Sequence, residues 1–184
     1  MKNFINFIKE LNLPNKLTML RMVLVPVYLV LLAVGLDWPA LIVFAVASIT
    51  DLLDGKIARK YNLVTNFGKI MDPLADKVLV YSAFCLMVPD PVPGWMLIII
   101  LAREFLVAGV RTVAASEGIV IAAAMSGKIK TVLQMVAVCM LLIAPVINTS
   151  WFLILGKIVL WAALVMTVIS GVQYVVDNKQ VFSK

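Results

Sequence analysis

The chain has 184 residues, of which 63% are hydrophobic and only 14% are charged, and its mean hydropathy is +1.05. This composition excludes an ordinary soluble globular domain. Histidine is absent, which excludes histidine triads, histidine general bases and the usual zinc sites. The net charge of +6 indicates contact with anionic lipid head groups rather than nucleic acid, because the chain has no solvated basic domain.

The N-terminal segment, residues 1–12, has the pattern of a short amphipathic helix. Its apolar side chains repeat at helical spacing, and asparagine, lysine and glutamate fill the opposite face. This pattern predicts a helix that lies in the membrane interface. We expect Pro14 to separate it from the first membrane span.

Six apolar segments follow, each long enough to cross a bilayer, which takes about 20 residues. The sequence therefore predicts an all-α integral membrane protein with six transmembrane helices, preceded by the interfacial helix, and one membrane domain over residues 13–184. The spans are predicted at about Lys16–Leu36, Ala40–Lys60, Gly68–Met87, from the Pro89–Gly94 turn to near Ser116, Ala122–Val146 and Trp151–Val176.

The positions of lysine and arginine predict the orientation of these spans. The turns after the first, third and fifth spans contain neither residue, whereas the tails and the other connections are basic. Lys157 is the exception, and we interpret it as a side chain that reaches the outer interface. Since cytoplasmic loops carry the excess of basic residues, we expect both termini and the connections after the second and fourth spans to face the cytoplasm.

Four aspartates lie around the connection between the second and third spans. Asp51 and Asp54 are three residues apart, and Asp72 and Asp76 are four apart; on a helix, either spacing places both side chains on one face. Solvated charges at helix ends are the simpler interpretation. However, two adjacent antiparallel helices could direct four carboxylates into one pocket, where a cation would offset their repulsion. Carboxylate oxygens suit Mg²⁺ or Mn²⁺, and four carboxylates can bridge two ions.

The same stretch resembles the complete signature of the CDP-alcohol phosphotransferase family. The resemblance implies that all four aspartates are metal ligands for two divalent cations, Mg²⁺ or Mn²⁺, and that Asp76 is also the base that deprotonates the acceptor alcohol. It assigns the glycines, the alanine and the arginine of the motif to the site for the cytidine diphosphate group. The motif reads Asp51-x2-Asp54-Gly55-x2-Ala58-Arg59-x8-Gly68-x3-Asp72-x3-Asp76.

Polar residues at the start of the first span are a second candidate group. Arg21 lies more than one turn inside an apolar segment, where an unpaired charge is costly, and Thr18 is on the same helical face. The segment is similar to the first helix of the family's glycerophosphate-type members, which implies that Asn15, Thr18 and Arg21 border the nucleotide. A cap at the membrane entry explains Asn15 equally well. Thr65 is a further candidate for the nucleotide, or a simple loop residue.

A third group is basic, with Arg103 and Arg111 on the fourth span and Lys128 and Lys130 at the start of the fifth. This is more positive charge than one diphosphate needs, so a second anionic group on the acceptor would account for it. Both segments resemble the glycerophosphate-type branch, which uses such residues for the acceptor phosphate. Glu104 is able to neutralise one of these cations in a purely structural ion pair.

The resemblance implies transfer of the phosphatidyl group from CDP-diacylglycerol to sn-glycerol 3-phosphate, with release of CMP. It also implies a homodimer in the plasma membrane, in contact with membrane lipids. One alternative keeps the reaction but uses another acceptor, such as inositol phosphate or serine. The other alternative is a cation or proton transporter, which the absence of sequence repeats and the position of the aspartates near one membrane face disfavour.

Overall fold

A computed structural model describes residues 12–61, 65–119, 121–122 and 124–179, and within this part the side chains of residues 52–56, 58–60 and 69 lie outside the description. The predicted interfacial helix, residues 1–12, falls outside it except for Asn12. Regular structure in the described part is helical, with no strand. The helices are α1 (Leu13–Ala33), α2 (Asp37–Lys60), α3 (Asn66–Leu86), α4 (Gly94–Ser116), α5 (Met125–Val146) and α6 (Ser150–Asp177).

Helix α1 begins three residues before the predicted start of the first span. Asn12 is its N-cap, and its side chain accepts a hydrogen bond from the backbone N–H of Asn15 at 3.1 Å. Pro14 therefore lies in the first turn instead of ending a preceding segment. A proline fits there because the first N–H groups of a helix have no intrahelical acceptor.

Two glycines end helices in conformations that other residues adopt with strain. Gly35 follows α1 with φ +77°, and Gly118 follows α4 with φ +75°. A Cβ at either position would have no atom within 4 Å, so the backbone angle, and not lack of space, favours glycine there.

The described residues fall into two compact units, one that ends at Leu86 and one that starts at Met87. The first contains α1, α2 and α3. Its core includes Tyr28, whose ring meets Phe44 edge-on at 5.6 Å between centroids. The Tyr28 hydroxyl donates to the carbonyl of Leu79 at 2.8 Å and also contacts the Ser82 hydroxyl. An aromatic contact and a hydrogen bond thus link α1 to both of its neighbours.

The second unit contains α4, α5 and α6, and its closest helix contact is between α5 and α6. A Cβ at Gly156 of α6 would lie 2.8 Å from Cδ2 of Leu141 on α5. The absence of a side chain at Gly156 therefore lets these two helices approach. Helix α4 packs on α6 through a small core of Val107, Val110 and Tyr174.

Three described helices, α1, α5 and α6, are long and apolar enough to cross a membrane. They expose large apolar side chains, such as Val30, Val132 and Val172, each more than 60% accessible. Helices α2, α3 and α4 have 24, 21 and 23 residues, but they carry most of the charged candidate residues, which lower their hydropathy. The prediction of an all-α membrane protein is confirmed; six spans and a single domain over residues 13–184 stay predictions.

Candidate active site

The first unit brings a threonine of α1 to an aspartate of α3. Thr18 is fully buried, and its hydroxyl donates to Oδ1 of Asp72 at 2.6 Å. Hydrogen bonds to a charged acceptor are stronger than neutral ones and typically short. Two residues 54 positions apart in the sequence are thus joined near the start of α3.

Asn15, Thr65 and Gly68 form a small polar cluster beside this contact. The Thr65 hydroxyl donates to Oδ1 of Asn15 at 3.0 Å and accepts from the backbone N–H of Gly68 at 3.0 Å. Thr65 therefore caps the first turn of α3. A Cβ at Gly68 would lie 3.2 Å from the Asn15 oxygen and 3.3 Å from Oδ2 of Asp72, so a side chain there would crowd the cluster.

Arg21 lies on α1 and has no exposed side-chain surface. Its Nη1 is 2.6 Å from Oδ1 of Asp51 on α2, whose side chain is 28% exposed. This ion pair explains how a charged residue is accommodated in an apolar helix. The charges of Asp51 and Asp72 repel each other, and Arg21 offsets this repulsion at Asp51.

The remaining residues of the motif lie on α3 and α2. Asp76 lies one turn after Asp72 on α3, is half-buried and has its own electrostatic or hydrogen-bond partner. The others are in helix α2, but their side chains lie outside the described residues. They are Asp54, Gly55, Ala58 and Arg59.

The described side chains include three of the four aspartates of the predicted metal site, Asp51, Asp72 and Asp76. Among the described side chains, no three histidine, cysteine, aspartate or glutamate residues form a group that could hold a metal ion; the side chain of Asp54 lies outside the description. The described donors are carboxylates, the ligand type that a hard divalent cation prefers, and the charges of Asp51 and Asp72 interact. The four-carboxylate site stays a prediction.

The second unit gathers two of the four predicted basic residues around one carboxylate. Oε1 of Glu104 accepts from Nη1 of Arg103 at 2.8 Å and from the ammonium group of Lys130 on α5. All three side chains are largely buried, with exposed fractions of 12% for Arg103, 9% for Glu104 and 3% for Lys130. The sequence suggested that Glu104 could neutralise one cation, whereas in the structure it contacts two.

Arg111 and Lys128 lie apart from this group. Arg111 is exposed, and its guanidinium carbon is 5.7 Å from the centre of the Tyr174 ring on α6. Such a distance allows a cation–π interaction. Lys128 is exposed on α5, whereas Lys130 is buried, because residues two apart on a helix point in different directions.

Two polar contacts of the second unit were not predicted. Gln134 is buried one turn after Lys130, and its amide group is 3.5 Å from the hydroxyl of Thr167 on α6. A glutamine within an apolar span is the sequence signal that indicates such a contact. Lys157 pairs with Asp90 at 2.9 Å, so its side chain has a defined acidic partner.

Comparison with known proteins adds evidence along nearly the whole chain. The family model described as CDP-alcohol phosphatidyltransferase matches residues 11–169. The chain belongs to this family. The family match includes every candidate site residue of the three groups, from Asn15 to Lys130.

Several relatives in the family are named for one specific reaction. A CDP-diacylglycerol–glycerol-3-phosphate 3-phosphatidyltransferase of Bacillus subtilis is 44% identical, over 91% of this chain and 95% of the relative. An enzyme of the same name from Rickettsia typhi is 42% identical, over 89% and 94%. A probable phosphatidylglycerophosphate synthase of Mycobacterium tuberculosis is 40% identical, over 89% and 80%.

Proposed function

We propose that this protein transfers the phosphatidyl group of CDP-diacylglycerol to sn-glycerol 3-phosphate, giving phosphatidylglycerophosphate and CMP. The observation that supports the proposal most directly is the sequence identity of 40–44%, over about nine-tenths of the chain, with relatives named for this reaction. The contacts of Thr18 with Asp72 and of Arg21 with Asp51 support it, since they organise the aspartates of the family signature.

The reaction is a direct displacement at phosphorus. Asp76 takes the proton from the attacking hydroxyl of glycerol 3-phosphate. The hydroxyl oxygen bonds to the β-phosphorus of CDP-diacylglycerol, the bond between that phosphorus and the bridging oxygen breaks, and CMP leaves with the electron pair. Two divalent cations, Mg²⁺ or Mn²⁺, held by Asp51, Asp54, Asp72 and Asp76, would neutralise charge on the pyrophosphate.

The first unit binds the nucleotide end of CDP-diacylglycerol in this proposal. Arg59 suits a phosphate because its planar guanidinium matches phosphate oxygens, and glycines allow a nucleotide to approach the backbone. Thr18 and Arg21 contact carboxylates, so they also hold Asp72 and Asp51 in place. The proposed nucleotide-binding residues are Asn15, Thr18, Arg21, Gly55, Ala58, Arg59, Thr65 and Gly68.

The second unit supplies the charge for the phosphate of the acceptor. We assign this role to Arg103, Arg111, Lys128 and Lys130. Serine has no phosphate and would leave the buried cations Arg103 and Lys130 less well matched, whereas inositol phosphate would satisfy them. Glycerol 3-phosphate is the acceptor that agrees with both the charge and the names of the relatives.

We further propose that the protein acts in the plasma membrane as a homodimer, with both termini and the aspartates on the cytoplasmic side. The distribution of lysine and arginine between the connections supports this orientation. Both water-soluble molecules of the reaction, glycerol 3-phosphate and CMP, would then exchange with the cytoplasm.

The proposal is tested by measuring CMP release from the detergent-purified protein supplied with CDP-diacylglycerol and Mg²⁺ or Mn²⁺. Separate reactions contain glycerol 3-phosphate, inositol phosphate, serine or no acceptor, and a chelator replaces the cation in a parallel series. We expect release only with both a cation and glycerol 3-phosphate. Release with another alcohol alone would contradict the assigned acceptor, and no release from a folded sample would contradict the reaction class.

A further inference from the structure

Glu104 is a buried acid at the centre of a basic cluster. It lies on α4, and a single oxygen, Oε1, accepts from both Arg103 and Lys130. Arg103 is its neighbour in the chain, while Lys130 belongs to α5. The carboxylate thus brings cations from two helices to the same point, and the Glu104–Arg103–Lys130 group is called the Glu104 triad below.

The guanidinium of Arg103 is confined by two further helices of the unit. A Cβ at Gly171 on α6 would lie 3.1 Å from Cγ of Arg103, and a Cβ at Gly127 on α5 would lie 3.5 Å from its Nη2. Gly171 therefore leaves room for the aliphatic part of the arginine side chain, while the position of Gly127 allows ordinary contact with the guanidinium. Of its nitrogens, Nε is buried and has no hydrogen-bond partner in the described part of the chain, so the guanidinium keeps a donor beyond those that Glu104 receives.

The triad has two positive charges and one negative charge, and hence a net charge of +1. Two buried cations that contact the same oxygen would repel each other if the carboxylate were absent. With it, both cations are held at one carboxylate oxygen. A cluster of this kind is preorganised for one additional anionic group, because the cations need not move together when the anion binds.

We propose that Glu104 is a positioning residue for the acceptor: it holds Arg103 and Lys130 together as one donor pair for the acceptor's phosphate. The inference rests on the proposed function, which assigns both cations to that phosphate. Glu104 itself, being negative, does not contact the phosphate. Its effect is on the geometry of the two cations.

A purely electrostatic role of Glu104 makes the opposite prediction. If the carboxylate only reduced the positive charge, its replacement by glutamine would increase the attraction for phosphate and lower the KM for glycerol 3-phosphate. If it positions the cations, the same replacement disperses them, and the KM rises although the cluster becomes more positive. The direction of the change therefore distinguishes the two roles.

The test compares Glu104→Gln with the wild-type full-length protein in detergent, by steady-state CMP release. We expect the KM for glycerol 3-phosphate to rise about ten- to a hundredfold, the loss that misplacement by about 1 Å causes, with the KM for CDP-diacylglycerol within about twofold. Glu117→Gln is the matched control, because Glu117 is an exposed glutamate just after α4. An unchanged or lower acceptor KM in Glu104→Gln would overturn the proposal.

Two further variants keep the test decisive if Glu104→Gln does not fold. Glu104→Asp retains the charge but shortens the side chain, and its acceptor KM should lie between those of wild type and Glu104→Gln. In a Lys130→Met background, Glu104→Asp should have a clearly smaller effect, since the pair that Glu104 holds is already broken. Equal effects in both backgrounds would refute positioning. An inactive wild-type protein would refute the proposed function instead, so the two failures are distinguishable.

Discussion

The two units of the molecule use opposite charges in the same way. In the first unit, the buried cation Arg21 contacts one of two neighbouring carboxylates, Asp51 and Asp72. In the second, the buried anion Glu104 contacts two cations, Arg103 and Lys130. In each unit, a cluster of like charges in an apolar chain includes one residue of the opposite sign, which offsets its internal repulsion.

The difference between the units lies in how the opposite charge is supplied. Arg21 comes from α1, a separate apolar helix, and reaches α2 over 30 residues of sequence. Glu104 is adjacent in sequence to one of its cations, Arg103, and reaches the other, Lys130, on α5. The acidic cluster, Asp51 and Asp72, therefore depends on the packing of α1. In the basic cluster, by contrast, the contact between Glu104 and Arg103 lies within α4 itself.

The largest expected effect concerns Asp76. Asp76→Asn removes the proposed base but keeps the size of the side chain. We expect turnover to fall by at least about a thousandfold, within the range in which positioned acids and bases contribute to catalysis. Binding of CDP-diacylglycerol, followed with a fluorescent analogue, should remain within a few-fold of wild type.

Asp177→Asn is the control for this substitution, because Asp177 is an exposed aspartate at the end of α6 and should leave turnover unchanged. Near-normal turnover of Asp76→Asn would remove Asp76 as the base. Loss of donor binding would instead assign Asp76 to the binding of substrate or cation alone. The aspartates would then have binding roles alone, as the basic residues of the second unit do.

A second, smaller effect tests whether Arg21 organises the acidic cluster. Arg21→Met leaves the carboxylate of Asp51 without its ion pair, and we expect the free energy of unfolding to fall by about 2 kcal/mol, the scale of a hydrogen bond between charged groups. The double variant Arg21→Met with Asp51→Asn should recover most of this loss, since removing both partners of a buried pair is often neutral. Thermal unfolding in detergent measures both.

Lys157→Met is the matched control for the loss of a cation. Lys157 is 42% exposed and its partner Asp90 is 80% exposed, and exposed pairs contribute at most about 1 kcal/mol. The melting temperature of Lys157→Met should therefore differ less from that of wild type than the melting temperature of Arg21→Met does. Equal shifts in the melting temperatures of the two variants would mean that the buried Arg21–Asp51 pair stabilises the fold no more than an exposed pair does. Failure of the double variant to recover stability would assign the effect of Arg21 to its packing alone.

The sequence was sufficient to predict the helices and the acidic motif, but not the partners of the charged residues. Apolar length and basic residues at helix ends predict spans because the bilayer imposes both. The start of α1 was placed late, since Pro14 fits a first turn as well as a break. The pairing of Arg21 with Asp51 and of Thr18 with Asp72 depends on how α1 rotates against α2 and α3, which periodicity alone does not determine.

The basic cluster was predicted less completely for a related reason. The four cations were grouped by charge, yet only Arg103 and Lys130 meet at Glu104, and Lys128 points away from Lys130 because of their spacing on α5. Helical geometry could have separated the two lysines from the sequence alone. The contact of Lys130 with α4 could not be predicted in that way, because it needs the packing of two helices.

The smallest expected effect concerns Arg111, an exposed residue that lies apart from the Glu104 triad. Arg111→Ala should raise the KM for glycerol 3-phosphate about three- to tenfold and the KM for CDP-diacylglycerol by less. The effect is smaller than that expected for Glu104→Gln because solvent and salt screen an exposed charge. The steady-state CMP assay at two salt concentrations measures it, and the difference from wild type should shrink at high salt.

Variants of Tyr174 test whether its aromatic ring positions Arg111. Tyr174→Phe keeps the aromatic ring under the guanidinium and should behave as wild type, whereas Tyr174→Leu removes the ring. A cation–π contact at an exposed site contributes about 0.5–1 kcal/mol, so Tyr174→Leu should reproduce only part of the Arg111→Ala effect. If Arg111→Ala raises the KM of CDP-diacylglycerol more than that of the acceptor, Arg111 belongs with the nucleotide-binding residues. The division of labour between an acidic and a basic unit would then not hold at this residue.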